Sequence, residues 1–237
     1  GNVKVFDVGD VSAPKDIATY AVPGVTSGLD VHEGLGLVTW FDYQAGELLD
    51  AGVEVFDSSE PSDPQFLGKY TPAKMPFVVE VVPPYCYVTW YSNPPPWTEH
   101  THGLDVLDIS DPSDPTLVGS YEEDGYHFWS TIAVAGTLVY ATGDDTDLSI
   151  IDVSDPSLPI KMGVYPDGEA FMVDIAHDHL FLAQGDTVTV LSLADPLVPQ
   201  FHTALEHEGW CKTIDVAHGY AFVGSGVLAS LDVGGCW

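Results

Sequence analysis

Positive charge is scarce in this chain, which has 6 Lys and Arg residues against 36 Asp and Glu residues among 237. The formal net charge at pH 7 is -30. A surface of this sign repels nucleic-acid phosphates and anionic lipids, so we exclude nucleic acids and membrane surfaces as partners. Cationic ligands, divalent metals and basic patches on a partner are compatible with it. The acidity also fits a solvated surface that keeps the protein soluble.

Cysteines, long apolar runs and helical periodicity are also scarce or missing. The 3 cysteines are too few, and odd in number, for a disulfide framework. The sequence has no apolar run long enough for a membrane helix. It has no signal-peptide pattern at Gly1, so we expect that any targeting segment has been removed. Alternation with a period of two residues, together with many turn residues, leaves little room for helix.

One phrase recurs along the chain: a strand-like apolar run that closes on Asp, a proline-containing turn, and a short run that closes on Tyr. The copies read VKVFDVGDVSAP, VEVFDSSEPSDP, LDVLDISDPSDP, LSIIDVSDPSLP, VTVLSLADPLVP and the clipped VLASLDV. The closing positions are Asp7, Asp57, Asp108, Asp152, Ser192 and Asp232. Their spacing of 40 to 51 residues is that of a four-stranded propeller blade.

Between the copies lie two β-rich runs about a small turn, as in TIAVAGTLVYATG, which is a hairpin signal. We name these strands a and b, and the repeated phrase supplies strands c and d. Strand c is apolar on both faces, so it is covered on both sides, as in a blade between two neighbours. The sequence therefore predicts an all-β fold, a β-propeller of about five to six four-stranded blades, as a single domain over residues 1–237.

The count of strands is 21, beginning and ending within a blade. A ring needs a multiple of four, so we expect that sequence outside this chain, or a partner segment paired with the terminal edge strands, completes it.

The phrases LDVLDISDPSDPTLVGSY at 104–121 and LSIID at 148–152 resemble the LVIVD repeat. The resemblance extends over most of the chain and departs from the pattern at Ser192 and Leu205. It implies a β-propeller of the kind found in exported or surface-associated prokaryotic proteins, generally without an assigned reaction. We interpret the repeated Asp as structural, since a carboxylate at a strand end can accept N–H bonds from the following turn.

Candidate binding residues lie on the face that carries the b–c and d–a loops, because long or variable loops on a rigid scaffold collect binding residues. The b–c loops are long at 41–52 and 91–103, and the d–a loops are 122–129, 166–171 and 206–212. Packing of these loops over their own blades is the alternative. The candidates are Trp97, His100, His102, His127, Trp129, Glu169, Glu208 and Trp210.

Two groups of acids are candidates for cation binding. Asp30, Glu80, Asp174 and Asp215 share one register of strand a and would form a carboxylate ring, unless each bonds a neighbouring blade instead. Asp144, Asp145 and Asp147 cluster in the loop GDDTD, which fits either calcium or a plain acidic turn.

These features favour an extracellular or cell-surface propeller that acts as a binding or assembly module, without a required cofactor. Its partner would be a protein or another surface component. The alternatives are a hydrolase or lyase that uses carboxylates and histidines of the funnel, and a structural subunit of a surface polymer.

Overall fold

The computed structural model describes residues 1–45, 47–92, 99–143, 146–224 and 228–234, and these residues form strands and turns without a helix. The chain divides into two compact units, Gly1–Asp124 (unit 1) and Gly125–Trp237 (unit 2). The antiparallel sheets of both units follow one another in chain order, and we name them blades 1 to 6.

Unit 1 contains blades 1 to 3. Blade 1 consists of β1 (Asn2–Asp7) and β2 (Lys15–Ala21). Blade 2 consists of β3 (Val25–His32), β4 (Leu35–Gln44), β5 (Glu47–Asp57) and β6 (Gln65–Tyr70). Blade 3 consists of β7 (Met75–Val82), β8 (Tyr85–Ser92), β9 (Thr101–Asp108) and β10 (Thr116–Asp124).

Unit 2 contains blades 4 to 6. Blade 4 consists of β11 (Thr131–Ala135), β12 (Leu138–Gly143), β13 (Thr146–Asp152) and β14 (Ile160–Tyr165). Blade 5 consists of β15 (Met172–Ala176), β16 (His179–Ser192) and β17 (Gln200–Cys211), and blade 6 of β18 (Thr213–Ala217), β19 (Tyr220–Gly224) and β20 (Leu228–Asp232). The first half of β16 pairs with β15 and the second half with β17. The two ends of β16 meet, because Leu193 N–H donates to Asp178 O at 2.7 Å, so β16 folds back on itself and supplies both strand b and strand c. The 20 strand segments of the described residues therefore include the 21 strands that the sequence predicts.

The core lies between neighbouring blades, because strand c is apolar on both of its faces. Val55 and Phe56 in β5, and Val106 in β9, are buried. Blade 1 consists of two strands where blade 2 has four, and Phe6 in its strand β1 is 50% exposed. Separate apolar clusters join blade 1 to blade 2, blade 2 to blade 3, blade 4 to blade 5 and blade 5 to blade 6. The prediction of an all-β, multi-blade propeller is confirmed.

The repeated Asp closes the c–d turn, as the sequence predicts. Asp108 Oδ1 accepts the backbone N–H of Ser110 at 2.8 Å, and this bond recurs in the other copies. The corresponding acceptors are Asp7, Asp57, Asp152, Ser192 and Asp232. In blades 2 to 6 the residue after strand c also bonds the a–b turn, as Ile109 N–H does to Pro84 O at 2.8 Å. The a–b turns of these blades therefore lie on the same face as the turns that follow strand c.

The c–d turn also contacts the preceding blade. At Gly68 in β6, a Cβ atom would lie 2.5 Å from the Pro112 carbonyl oxygen of blade 3, so only glycine fits without a shift. In unit 2, Tyr140 of blade 4 donates its hydroxyl proton to Pro196 O of blade 5 at 2.8 Å. The repeated turn thus joins each of these blades to its neighbour.

Candidate functional site

A cleft of about 220 Å³ lies on the loop face of blade 5 in unit 2. Its lining comes from the segment between β14 and β15, from the middle of β16 and from the end of β17. The lining residues are Glu169, Ala170, Phe171, Gln184, Gly185 and Trp210. Two of the predicted binding residues, Glu169 and Trp210, are therefore brought together by the fold.

Trp210 reaches the cleft because β17 departs from its ladder just before its end. Thr187 pairs with Glu206 and Gly185 pairs with Cys211, so residues 207–210 stand opposite Asp186 alone. Gly209 has a φ of +91° within this excursion, a conformation that glycine adopts without steric cost. Trp210 is consequently 62% exposed, although it belongs to a strand.

Phe171 and Trp210 form an aromatic corner. Their ring centroids are 5.8 Å apart and their planes meet at 78°. Gly185, with a φ of +65°, lies behind the indole, and a Cβ atom there would be 3.6 Å from Trp210 Nε1. A side chain at this position would strain the backbone and project toward the indole edge.

The polar groups of the cleft are arranged by Gln184. Its Nε2 donates to the backbone carbonyls of Asp167 and Glu169, at 3.0 and 2.8 Å. These bonds hold the loop between β14 and β15 against β16. The exposed Glu169 side chain adds a carboxylate to the lining, and Trp210 adds an indole N–H donor. The arrangement suits binding of a partly apolar group.

In unit 1, the loop end of blade 3 carries a network of Tyr, His and Glu side chains. His102 is 6% exposed, and its Nε2 lies 3.1 Å from Glu123 Oε1. Tyr121 donates its hydroxyl proton to Glu123 Oε2 at 3.0 Å, and burial together with this bond raises the pKa of Tyr121 to about 12. His100 bonds Tyr91. The network ties the ends of β8, β9 and β10 together.

Some of the few lysines of this chain lie over buried tryptophan rings. Lys74 Nζ is 3.3 Å from the Trp90 ring centroid and also bonds Glu122 at 2.7 Å. Trp90 Nε1 donates to the buried Asp105, whose pKa is raised by burial although hydrogen bonds and Lys74 oppose the shift. Lys69 and Lys161 lie over Trp40 and Trp129 in the same way.

The remaining binding candidates differ in exposure. Trp129 is 1% exposed and belongs to the core of unit 2, where it offers no surface to a ligand. His127 is exposed on the loop that precedes β11, and Glu208 is exposed near the end of β17. Trp97, Asp144 and Asp145 lie outside the described residues. Asp147 Oδ1 accepts the backbone N–H of Asp167 at 3.2 Å, which links the start of β13 to the loop between β14 and β15.

For two of the strand-a acids the structure shows hydrogen bonds to a neighbouring blade. Asp30 Oδ2 accepts the Val81 N–H of β7 at 2.7 Å. Asp174 Oδ2 accepts the Val216 N–H of β18 at 2.6 Å. Burial raises the pKa of Asp174, with a contribution from the negative charge of Asp215, while its backbone hydrogen bonds oppose the shift. Glu80 is half-buried in β7, and Asp215 is exposed in β18.

Sequence reasoning missed Phe171, Gln184 and the network partners Tyr91, Tyr121 and Glu123. Phe171 stands in the 166–171 loop that the sequence singles out, but its pairing with Trp210 depends on the excursion of β17. Gly209, next to Trp210, is the signal that could have indicated this excursion.

Among the described residues, no group of three or more His, Cys, Asp or Glu side chains is placed to hold a metal ion. That part of the chain also contains no helix with the length and apolar character needed to span a membrane.

Comparisons with known proteins concern the repeat and the fold. The family model described as LVIVD repeat matches residues 99–123 and 130–167. The chain is similar to the crystal structure of a functionally unknown protein from Desulfotomaculum acetoxidans DSM 771, with a TM-score of 0.74 and 8% identity over 98% of this chain and 76% of that chain. At this identity the similarity shows the fold alone. No curated protein sequence matches. Residues 99–123 and 130–167 thus match the LVIVD repeat, and they form part of a multi-blade β-propeller.

Proposed function

We propose that this protein is a binding module and that the cleft of blade 5 contacts its ligand. The observation that carries the proposal is the exposed indole of Trp210 in a concave site, with Phe171 at nearly a right angle to it. An aromatic side chain gains free energy when its apolar surface leaves water, so the exposed Trp210 ring beside the half-buried Phe171 ring favours contact with a ligand.

The rigidity of the cleft supports the same role. Gln184 fixes the Glu169 loop by two hydrogen bonds, and Ala170 and Cys211 on either side are buried. A site that is already ordered loses little conformational entropy on binding. The cleft can therefore bind a ligand without a large rearrangement.

The partner in this proposal is a protein or another surface component, and the protein acts outside the cell or at its surface. The net charge of -30 supports a partner with positive charge and disfavours nucleic acids and anionic membranes. Resemblance to exported propellers supports the location. Protease treatment of intact source cells tests the location directly, because a protein outside the cell or at its surface is accessible to the protease.

Saturation-transfer NMR with a library of small amines, amino acids and carbohydrates tests the binding role. Ligands that receive saturation from the wild type should lose it with Trp210→Ala. They should keep it with Phe201→Ala, because Phe201 is also 62% exposed on β17 but does not line the cleft. A library without any ligand, or ligands that survive Trp210→Ala, would contradict the proposal.

We further propose that binding needs no cofactor, and that Asp147 has a structural role and is not a calcium ligand. The bond from Asp167 N–H to Asp147 supports this, since it gives this carboxylate a structural partner. Calcium that binds only to the native state would stabilise it and raise the melting temperature. We therefore expect the same melting temperature with calcium and with a chelator. A higher melting temperature in calcium would show instead that this chain binds calcium.

A further inference from the structure

The lining of the blade 5 cleft indicates the chemical class of its ligand. Phe171 and Trp210 meet at 78° with centroids 5.8 Å apart, so the corner between them is bounded by the π faces of two rings. A ring face carries negative charge density and attracts cations. Such a corner can hold an ammonium group and its methyl or methylene substituents in contact with both rings.

The polar atoms of the cleft point to the same class. The amide nitrogen of Gln184 is already engaged with the carbonyls of Asp167 and Glu169, which leaves its oxygen as an acceptor. Trp210 Nε1 lies 3.6 Å from the place that a Cβ atom would take at Gly185. A sugar requires donors as well as acceptors for its hydroxyl groups, whereas a cation requires acceptors and negative charge.

The charges around the cleft are mostly negative. Glu169 belongs to the lining, and Asp167 and Asp186 are exposed next to lining residues. The basic residue nearest to Trp210 in the sequence is Lys212, two residues later. The chain as a whole carries 36 acidic residues against 6 basic ones, so a cation is attracted at long range and an anion is repelled.

We infer that the cleft binds an organic cation, either a free quaternary ammonium compound or the methylated ammonium group of a partner's lysine side chain. This inference rests on the binding role proposed above and specifies its ligand. The aromatic corner supplies the cation–π contact, and the Glu169 carboxylate supplies the opposite charge.

Calorimetric titration with choline and with 3,3-dimethylbutan-1-ol, its neutral isostere, tests the inference. Choline should bind between about twofold and thirtyfold more tightly than the alcohol, the range that corresponds to a cation–π contact. A third titration uses Nα-acetyl-Nε-trimethyllysine methylamide. Tighter binding of this compound than of choline would identify the cation as a protein side chain, and the reverse would identify a free ligand.

Variants separate the cation–π contact from simple apolar contact. Trp210→Leu keeps an apolar side chain without the π face, so it should weaken choline binding and leave the alcohol nearly unchanged. Glu169→Gln should weaken choline binding by up to about fivefold, because it removes one solvent-exposed charge. Phe201→Ala should change neither. Circular dichroism of each variant confirms that it is folded.

The outcomes distinguish this inference from the binding role. If the alcohol, or a carbohydrate from the NMR library, binds at Trp210 as tightly as choline, the inference is wrong and the binding role stands. If no compound binds at Trp210, both are wrong.

Discussion

At the scale of single residues, the strand-end aspartate fixes the turn that follows it. Hydrogen bonds from Ser110 lower the pKa of Asp108 below its ordinary value of 3.8, because they favour the ionised carboxylate. The same shift holds for Asp57 and its partner Ser59. In blade 5 the closing residue is Ser192, whose neutral Oγ accepts the Ala194 N–H at the longer distance of 3.3 Å.

We predict that Ser192→Asp raises the melting temperature at neutral pH and that Asp108→Ser lowers it. The pKa of Asp108 is lower in the folded state, so its contribution is present above pH 3.8 and is lost as the pH falls through the folded value. Thermal unfolding between neutral and strongly acidic pH checks both variants. If each variant still differs from the wild type in melting temperature after the carboxyl groups are protonated, the electrostatic explanation is wrong.

Asp174 illustrates the opposite electrostatic situation, in which burial disfavours the ionised form but the backbone still needs an acceptor. Asp174→Ala should lower the unfolding free energy by about 1–3 kcal/mol, because the Val216 N–H loses its partner. Asp174→Asn keeps a carbonyl acceptor and removes the charge, so it should be at least as stable as the wild type at neutral pH. Its raised folded pKa means that the contribution of Asp174 falls as the pH rises above 3.8.

Urea unfolding of the two variants measures these differences, with Asp215→Ala as the control. Asp215 is exposed and adds to the raised pKa of Asp174, so its removal should not destabilise the fold. A loss of stability in Asp174→Asn equal to that in Asp174→Ala would show that the charge itself is needed, as a cation-binding ring requires.

At the scale of elements, the repeated phrase joins blades as well as closing turns. Gly68 and Gly163 occupy equivalent positions in strand d of blades 2 and 4, but their surroundings differ. A Cβ atom at Gly68 would lie 2.5 Å from Pro112 O, whereas at Gly163 its nearest neighbour would be Leu197 O at 3.7 Å. The close approach in unit 1 therefore restricts position 68 to glycine.

We predict that Gly68→Ala lowers the unfolding free energy by about 1–3 kcal/mol, because the added methyl group displaces a backbone turn. Gly163→Ala should be neutral or slightly stabilising, since alanine has less backbone freedom to lose. Chemical denaturation compares the two. Equal effects at both positions would contradict the proposed difference in packing.

The elements could be predicted from the sequence because each is encoded locally. The strand-end aspartates, the turn prolines and the apolar faces of strand c recur in most copies, so they indicate strands, turns and burial together. The cleft could not be predicted in the same way. Phe171 and Trp210 are far apart in the sequence, and they meet only because residues 207–210 leave the ladder. Trp129 carries no local sign of its burial, which depends on the packing of unit 2.

At the scale of the whole molecule, the excess of acidic residues repels itself in the folded state. A net charge of -30 destabilises a compact structure, and salt screens the repulsion over roughly 10 Å at 0.1 M. Only a few lysines offset it, and several of these are engaged with tryptophan rings and carboxylates.

We therefore predict that the melting temperature rises with sodium chloride in the low-salt range. For a protein of this size the rise should be about 2–4 °C for each kcal/mol of repulsion that is screened. Differential scanning calorimetry at several ionic strengths measures it. A melting temperature that is constant or falls with salt would show that the acidic surface does not limit stability.

The repeat makes the scaffold, and the departure of β17 from its ladder makes the cleft that we propose as the binding site. Saturation-transfer NMR on three folded proteins, the wild type, Asp108→Ala and Trp210→Ala, tests this separation most directly. We predict that ligands of the wild type keep their signals with Asp108→Ala, although that variant melts at a lower temperature, and lose them with Trp210→Ala. Signals that are lost with folded Asp108→Ala and kept with Trp210→Ala would contradict the account.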